Sequence, residues 1–481
     1  RIMIYTRHVS MYQTLAFILL YALVPKSTIA HALDFILHDL DQHASIGAII
    51  IDSGSGDILY QKNPHRYLMP ASTLKLLTAI AATDKLHRQE PFTTKLKLYG
   101  KQEGATFKGD VVISPTGDPS LKIKKLKNLL TKIAQRKITQ IDGNVYIQTK
   151  HFDQNSHIPG TVWEEQNDCY CSPASALSLE ENCYTIALER TEKGINIHNT
   201  LEQEPIVGQI SIKPSCQDHK TPSIHHTIYG KGYKIDHAPY QKPHVLTGCW
   251  AKHAAMEQKL KLSVQNPQQL FQSSVTNILD QLNIQSPKPK LIHHYQSHNQ
   301  PSMKTYIASD NLPAMMQKLL KTSNNHIANQ CFKHLGAITS HQPGSWEQGE
   351  NAIQDTLSAY NIEDRNASIV DGAGLSRNNR LQAKTLADAL QVIYHTPKLQ
   401  NLITALPCAG LDGTLRNRLR KNRIPICAKT GFLNGVVTLA GYIDPFGKKP
   451  KTFVLMLNGN KTIHKDYEAI EDAIFAAIEK L

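Results

Sequence analysis

Apolar and polar positions along the chain follow two periods, and each change of period marks an element. Gly47 to Ile51 is a continuous apolar run, Asp52-Ser53-Gly54-Ser55-Gly56-Asp57 is a cluster of turn residues, and Ile58-Leu59-Tyr60 resumes the extended pattern, which predicts a β-hairpin. Pro70-Ala71-Ser72 then opens a helix. Leu74, Leu76, Leu77, Ala79, Ile80 and Ala81 make it apolar around most of its circumference, as a buried central helix requires. From about residue 91 to 262 the pattern breaks into short strand-like runs such as Asp110-Val111-Val112-Ile113 and Asn144-Val145-Tyr146-Ile147, with Gly, Pro and Asn between them. One helix is expected inside that strand-rich stretch, within Leu121 to Ile138, where Leu126, Leu129, Leu130 and Ile133 recur at helical spacing. Farther on, Leu312, Met315, Met316, Leu319 and Leu320 form an amphipathic helix. Arg423 to Gly431, Val436 to Tyr442 and Thr452 to Leu457 read as three adjacent antiparallel strands, the last two separated by the turn Asp444-Pro445-Phe446-Gly447. Asp466 to Leu481 has helical spacing and is expected to pack on that sheet.

The N-terminus adds a destination. Arg1, Arg7 and His8 precede an apolar run from Leu15 to Val24, and Ala30-His31-Ala32 supplies the small residues of a cleavage site, so a secretory signal is expected to end at Ala32. The run is well short of the roughly 20 residues that span a bilayer, as is every later apolar segment, which leaves peripheral or no membrane association. Export places the mature chain in the periplasm, an oxidising compartment, and changes how its 8 cysteines are read. Cys169, Cys171, Cys183, Cys216 and Cys249 crowd the first half, where disulfides are plausible, and spacing alone leaves their connectivity open. Cys169-x-Cys171 lacks a second close Cys/His pair, so no metal site is expected. The 481 residues favour two or three domains, and 41% hydrophobic with 19% charged residues is an ordinary globular composition. The net charge of +13 implies an anionic partner, such as an acidic polymer of the cell envelope. An exported chain without a reader motif is not expected to bind nucleic acid.

Three short motifs carry the chemistry. Ser72-Thr73-Leu74-Lys75 is the only S-x-x-K and Lys429-Thr430-Gly431 the only K-T-G, whereas S-x-N occurs at Ser297, Ser309, Ser323 and Ser376. On a helix Ser72 and Lys75 lie one turn apart on the same face, and a lysine buried there loses basicity until its neutral amine can act as a base. Lys429-Thr430-Gly431 on a strand offers a cation and a hydroxyl to a carboxylate, and a glycine that lets substrate approach the backbone. Among the S-x-N candidates, Ser323-Asn324-Asn325 directly follows the amphipathic helix, where a helix-end turn presents side chains to a neighbour. Ser309-Asp310-Asn311 precedes that helix, with Ser309 or Asp310 as its expected N-cap. Ser323 and Asn325 are therefore the expected pair.

S-x-x-K, S-x-N and K-T-G in this order resemble the signature of penicillin-binding proteins and serine β-lactamases. The gap of roughly 250 residues between the first two resembles the class C low-molecular-mass penicillin-binding proteins, the D-alanyl-D-alanine carboxypeptidase/endopeptidases of the S13 type. Gly117-Asp118-Pro119-Ser120-Leu121, Ser172-Pro173-Ala174-Ser175-Ala176-Leu177-Ser178, Asp371-Gly372-Ala373-Gly374-Leu375-Ser376-Arg377 and Leu411-Asp412-Gly413-Thr414-Leu415 extend the resemblance over nearly the whole mature chain. It implies a mixed α/β (α+β) fold, with a transpeptidase/β-lactamase-like domain in two segments, 33–90 and 263–481, interrupted by small β-rich domains over 91–262. It implies disulfides Cys169 to Cys183 and Cys216 to Cys249, no cofactor, peptidoglycan stem peptides as substrates and β-lactams as covalent inhibitors. Dimerisation is left open. Ser72 would be the nucleophile, Lys75 its base, Ser323 a proton donor to the leaving amine, and Asn325 a partner of Lys75 and the substrate amide. Lys429 and Thr430 would hold the terminal carboxylate, and the backbone N–H groups of Ser72 and Phe432 would form the oxyanion hole. Glu165, Tyr170, Arg377 and Asn434 fall where members of the family contact the diaminopimelate-bearing stem peptide. Phe432 departs from the family, which places Ser or Thr after K-T-G. A β-lactamase and a catalytically weak wall-binding protein are the competing readings; the large insertion weighs against the first and the complete set of motifs against the second.

Overall fold

The computed structural model describes residues 26–41, 44–191, 194–199, 206–212, 226–230, 233–237, 244–250, 257–420, 422–459, 472 and 474–476. Both ends of the chain build one antiparallel sheet. The predicted hairpin is β1 (Ala44–Asp52) and β2 (Ile58–Lys62), and β1 lies along β18 (Lys451–Gly459), with Ile49 opposite Val454. β17 (Val436–Ile443) and β16 (Ile426–Leu433) complete the order β16-β17-β18-β1-β2, which leaves β16 at an edge. The three C-terminal strands are thus adjacent and antiparallel as expected.

β1 is a continuous apolar run because both faces of the sheet are covered. Ile49 and Ile51 face the helical core, while Ile46, Ala48 and Ile50 face a second layer with Leu33 and Leu37 of α1 (Lys26–Asp41). The expected signal falls largely outside the described residues, and Ala32 lies within α1, one residue before the buried Leu33. Most of the predicted C-terminal helix also lies outside them; Ile474 and Phe475 are described and buried, with Phe475 edge-on to Phe453 at 4.9 Å. Among the described residues no helix is long and apolar enough to cross a membrane.

The helical core surrounds α2 (Lys75–Lys85), whose residues from Lys75 to Ala82 are all buried. A 3₁₀ turn over Ala71–Leu74 precedes it, so Ser72 sits in a tighter turn than the helix predicted there.

Between the two segments of this domain, β3 (Thr93–Glu103), β4 (Thr106–Pro115), α3 (Ile123–Ala134), β5 (Gln140–Asp142) and β6 (Val145–Gln148) begin a six-stranded sheet. Farther along, β7 (Cys183–Thr191), β8 (Gly194–Asn199) and β13 (Glu257–Ser263) form a three-stranded sheet. A four-stranded one, in the order β10-β11-β12-β9, takes β9 (Ile206–Ile212), β10 (His226–Gly230), β11 (Tyr233–His237) and β12 (His244–Trp250). The chain does not return to the first core at 263 as expected. α4 (Pro267–Gln281), β14 (Lys290–Ile292) and β15 (Met303–Ala308) stay with the six-stranded sheet, because Leu270, Phe271, Val275, Ile278 and Leu279 share its core with α3. The return comes after Ala308, with α5 (Leu312–Lys321), α6 (Asn325–Ser340), α7 (Trp346–Ala359) and α8 (Ala383–His395) packed in the core of α2.

The Cys169–Cys183 disulfide is present. The implied Cys216 to Cys249 pairing lies outside the described residues. A further bond, Cys408–Cys427, joins two of the widely spaced C-terminal cysteines, and Cys171 and Cys331 are buried free thiols.

Candidate active site

The turn that carries Ser72 is wedged between β16 and the Asp371–Arg377 loop. A Cβ at Gly431 would come within 2.0 Å of Thr438 Oγ1 and 3.0 Å of Ala71 Cβ, so this glycine seats the Ser72 turn against the strand and serves the protein's own packing. Gly374, at φ +79°, does the same from the other side, where a Cβ would lie 1.9 Å from the Ala71 carbonyl oxygen.

Lys75 Nζ is enclosed by three oxygens: Ser72 Oγ at 2.7 Å, Asn325 Oδ1 at 2.6 Å and the Ala373 carbonyl at 2.8 Å. Burial lowers Lys75 to about 7, and the nearby Asp371 carboxylate opposes the shift. A neutral amine has two N–H groups and one lone pair. Asn325 Oδ1 and Ala373 O can only accept, so they take the two N–H groups and the lone pair is left for the Ser72 hydroxyl.

Ser323 lies between α5 and α6 in the left-handed conformation, at φ 57°. That kink lets Asn324 cap α6 through Ile327 N–H at 2.8 Å, while Asn325 reaches Lys75. Lys429 Nζ donates to Ser323 Oγ at 2.9 Å and to Thr430 O at 2.7 Å. Burial, with the Lys75 charge nearby, holds Lys429 well below the ordinary lysine range. Thr430 Oγ1 shares a 2.8 Å hydrogen bond with Thr414 Oγ1. The S-x-N competitor has a different duty from the expected one: α5 is capped by Asn311, which accepts from Ala314 N–H, rather than by Ser309 or Asp310. Ser309 instead accepts from Phe92 N–H, and Asp310 pairs with Lys125 at 2.7 Å.

At the edge of the sheet, Ala428 N–H donates to Pro407 O and Ala409 N–H to Ile426 O. Backbone groups alternate sides along a strand, so the N–H groups of Thr430 and Phe432 turn to the same outer edge. The Phe432 ring is 65% exposed on the face that also bears Thr430. Tyr170 is 43% exposed, and its carbonyl accepts from Asn325 Nδ2 at 2.9 Å. Its phenol is raised by burial and by the Asp168 and Glu165 carboxylates. Glu165 ends the 3₁₀ turn Trp163–Glu165 nearby in the chain. Arg377 Nη1 donates to Asn434 O at 2.8 Å, which links these two residues directly.

Sequence reasoning missed three contributors. Ala373 acts through its carbonyl, Asp371 organises that loop by accepting from Ala373, Leu375 and Ser376 N–H, and Thr414 orients Thr430. Their signal was the two glycine-containing stretches, 371–377 and 411–415, in which only Arg377 carries an expected role. Among the described residues no cluster of His, Cys, Asp or Glu could hold a metal ion.

Known proteins are similar to this chain over most of its length. A profile of the D-Ala-D-Ala carboxypeptidase 3 (S13) family matches residues 29–481. The D-alanyl-D-alanine carboxypeptidase DacB of Haemophilus influenzae is 28% identical over 88% of this chain and 87% of its own. The D-alanyl-D-alanine carboxypeptidase of an Actinomadura species is 24% identical over 89% of this chain and 80% of its own. The crystal structure of penicillin-binding protein 4 from H. influenzae superposes with a TM-score of 0.79 at 25% identity, covering 93% of this chain and 98% of that one. The chain belongs to the D-Ala-D-Ala carboxypeptidase 3 (S13) family of peptidases, on a β-lactamase/transpeptidase-like fold.

Proposed function

We propose that the protein is an exported serine DD-carboxypeptidase and DD-endopeptidase of peptidoglycan stem peptides that works through an acyl-enzyme and is inhibited by penicillin. The observation that carries this reading is the enclosure of Lys75, with two carbonyls for its N–H groups and the Ser72 hydroxyl for its lone pair. Ser72 Oγ attacks the penultimate D-alanine carbonyl carbon and passes its proton to Lys75 Nζ. The carbonyl electron pair moves onto oxygen, held by the N–H groups of Ser72 and Phe432, a type of contact worth about 10²–10³ in rate. When the C–N bond breaks, the leaving amine takes the proton that Lys75 received, relayed through the Ser323 hydroxyl that Lys429 holds, and Lys75 is neutral again. Water then attacks the ester carbonyl, giving a proton to the neutral Lys75, which returns it to Ser72 Oγ as the ester C–O bond breaks.

Thr430 and Lys429 receive the terminal carboxylate, while Asn325 holds the substrate amide and Lys75. Glu165, Tyr170, Arg377 and Asn434 take the diaminopimelate side chain. Phe432 offers a ring where a hydroxyl would have added a carboxylate contact, which favours substrates bulkier on the leaving-group side, such as cross-linked peptides. The H. influenzae penicillin-binding protein 4 has also been solved complexed with a β-lactam, and a β-lactam amide would acylate Ser72 by the same steps. Two disulfides in the described residues support export; a signal ending at Ala32 would direct it.

Intact mass after incubation with benzylpenicillin tests the reading. One adduct on the wild type and none on Ser72→Ala, with release of D-alanine from a stem pentapeptide, is the expected result. No adduct and no product from the folded wild type would overturn it in favour of a wall-binding protein, and rapid loss of the adduct with penicillin hydrolysis would make it a β-lactamase.

A further inference from the structure

α6 holds the active site with one side chain and the wall beside it with others. Asn325 reaches Lys75 through Oδ1, and the next residue, His326, points into the segment that follows Tyr170. Its Nδ1 lies 3.0 Å from Ser172 Oγ and its Nε2 2.8 Å from Ser178 Oγ. All three side chains are buried. One imidazole therefore closes a seven-residue segment on itself and ties both its ends to α6. One helical turn on, Gln330 Nε2 donates to Ser175 O at 2.8 Å, near the middle of the same segment. Tyr170 precedes the segment and is held from α6 by Asn325, while the Cys169–Cys183 bond anchors its other flank.

A neutral imidazole has one N–H and one lone pair, and a hydroxyl can answer either, so the bridge leaves no ring nitrogen unsatisfied. Burial lowers His326 to about 4, which keeps the ring neutral in the working range. An apolar residue of similar size would fill the space and leave two buried hydroxyls without this partner. An ordinary core histidine would secure folding alone. This one secures the segment directly after Tyr170, whose exposed side chain faces substrate in the reading given above.

We propose that His326 is a positioning residue for stem-peptide recognition: it fixes residues 172–178 on the helix that carries Asn325 and thereby sets Tyr170 at the substrate wall. The inference rests on the proposed function. It predicts that His326 matters for substrates that reach the wall and little for ligands that engage only Ser72 and the carboxylate site.

The test compares the full mature chain with His326→Phe and His326→Gln. Three probes are used: a stem pentapeptide with diaminopimelate at its third position, an N-acyl-D-Ala-D-Ala lacking that side chain, and benzylpenicillin. In His326→Phe the pentapeptide KM should rise about 10-fold or more, as a displaced positioning group predicts. Penicillin acylation and turnover of the short substrate should stay within about 2-fold of wild type. His326→Gln, which keeps one donor and one acceptor, should fall between, and it answers the question if the Phe variant does not fold. An unchanged pentapeptide KM, or an equal loss for all three probes, would overturn the inference. A wild type that penicillin does not acylate would overturn the proposed function instead.

Discussion

At the scale of single residues the site is an economy of protons around Lys75. Its amine is lowered to about 7 by burial, so below that pH it is an ammonium with no lone pair for the Ser72 proton. Acylation by penicillin should therefore climb with pH through about 7 and level off above it, which stopped-flow measurement over pH 5.5 to 9 would show. Lys75→Ala should lose about 10²–10⁴ in acylation rate and the pH dependence with it. Stability carries the same signature. Between about 7 and the ordinary value of 10.5 the unfolded chain keeps a proton that the folded chain has released, so the Lys75 contribution to stability should improve as pH rises across that window. As neighbours in one site, Ser72, Lys75, Ser323 and Lys429 were legible because each stands in a motif of short, fixed spacing. Ala373 was not, because a main-chain carbonyl has no residue identity to read.

At the scale of elements, the site depends on how a turn, a loop and an edge strand are pressed together. The Asp371 carboxylate gathers Ala373, Leu375 and Ser376 N–H together with Asn379 Nδ2, which aims Ala373 O at Lys75. Asp371→Ala would leave these buried donors without that acceptor. It should cost about 3 kcal/mol of stability, read by chemical denaturation, and slow acylation out of proportion to the unfolded fraction. The strands, α2 and α5 were legible because their apolar runs have the length and period of the elements they form. Capping was less so: Ser309, Asp310 and Asn311 all have capping side chains, and only the path of the chain selects Asn311. The glycine of Lys-Thr-Gly was likewise readable as a need for closeness, while what it lets close, the Ala71 turn, is a contact 360 residues away in sequence.

At the scale of the whole molecule, the insertion is joined to the catalytic core by polar ties as well as by the chain. Lys333 of α6 is fully buried, 2.5 Å from Asp153 Oδ1 and 2.9 Å from Asn155 O, with the rings of Phe152 and Trp346 at 5.3 and 5.2 Å. Removing one partner of a buried pair strands the other charge. Asp153 is about a third exposed and Lys333 keeps Asn155 O, so Asp153→Ala should destabilise by about 1–3 kcal/mol, and adding Lys333→Met should restore most of it, as thermal and urea unfolding of the single and double variants would establish. The expected boundary at 263 missed the true return after Ala308 because α4 is an amphipathic helix, and its pattern states that one face is buried without stating against which core. The place where the insertion begins and ends has a further consequence. Thr93 and Ala308 stand opposite each other on β3 and β15, so more than two hundred residues leave and re-enter through neighbouring positions. The ends of that excursion are already closed, and the entropic charge for lengthening it grows only as the logarithm of its length. Evolution can thus add or trim material at the far end, away from Asp153, Tyr170 and the 172–178 segment, without moving Ser72 relative to Ser323 and Lys429.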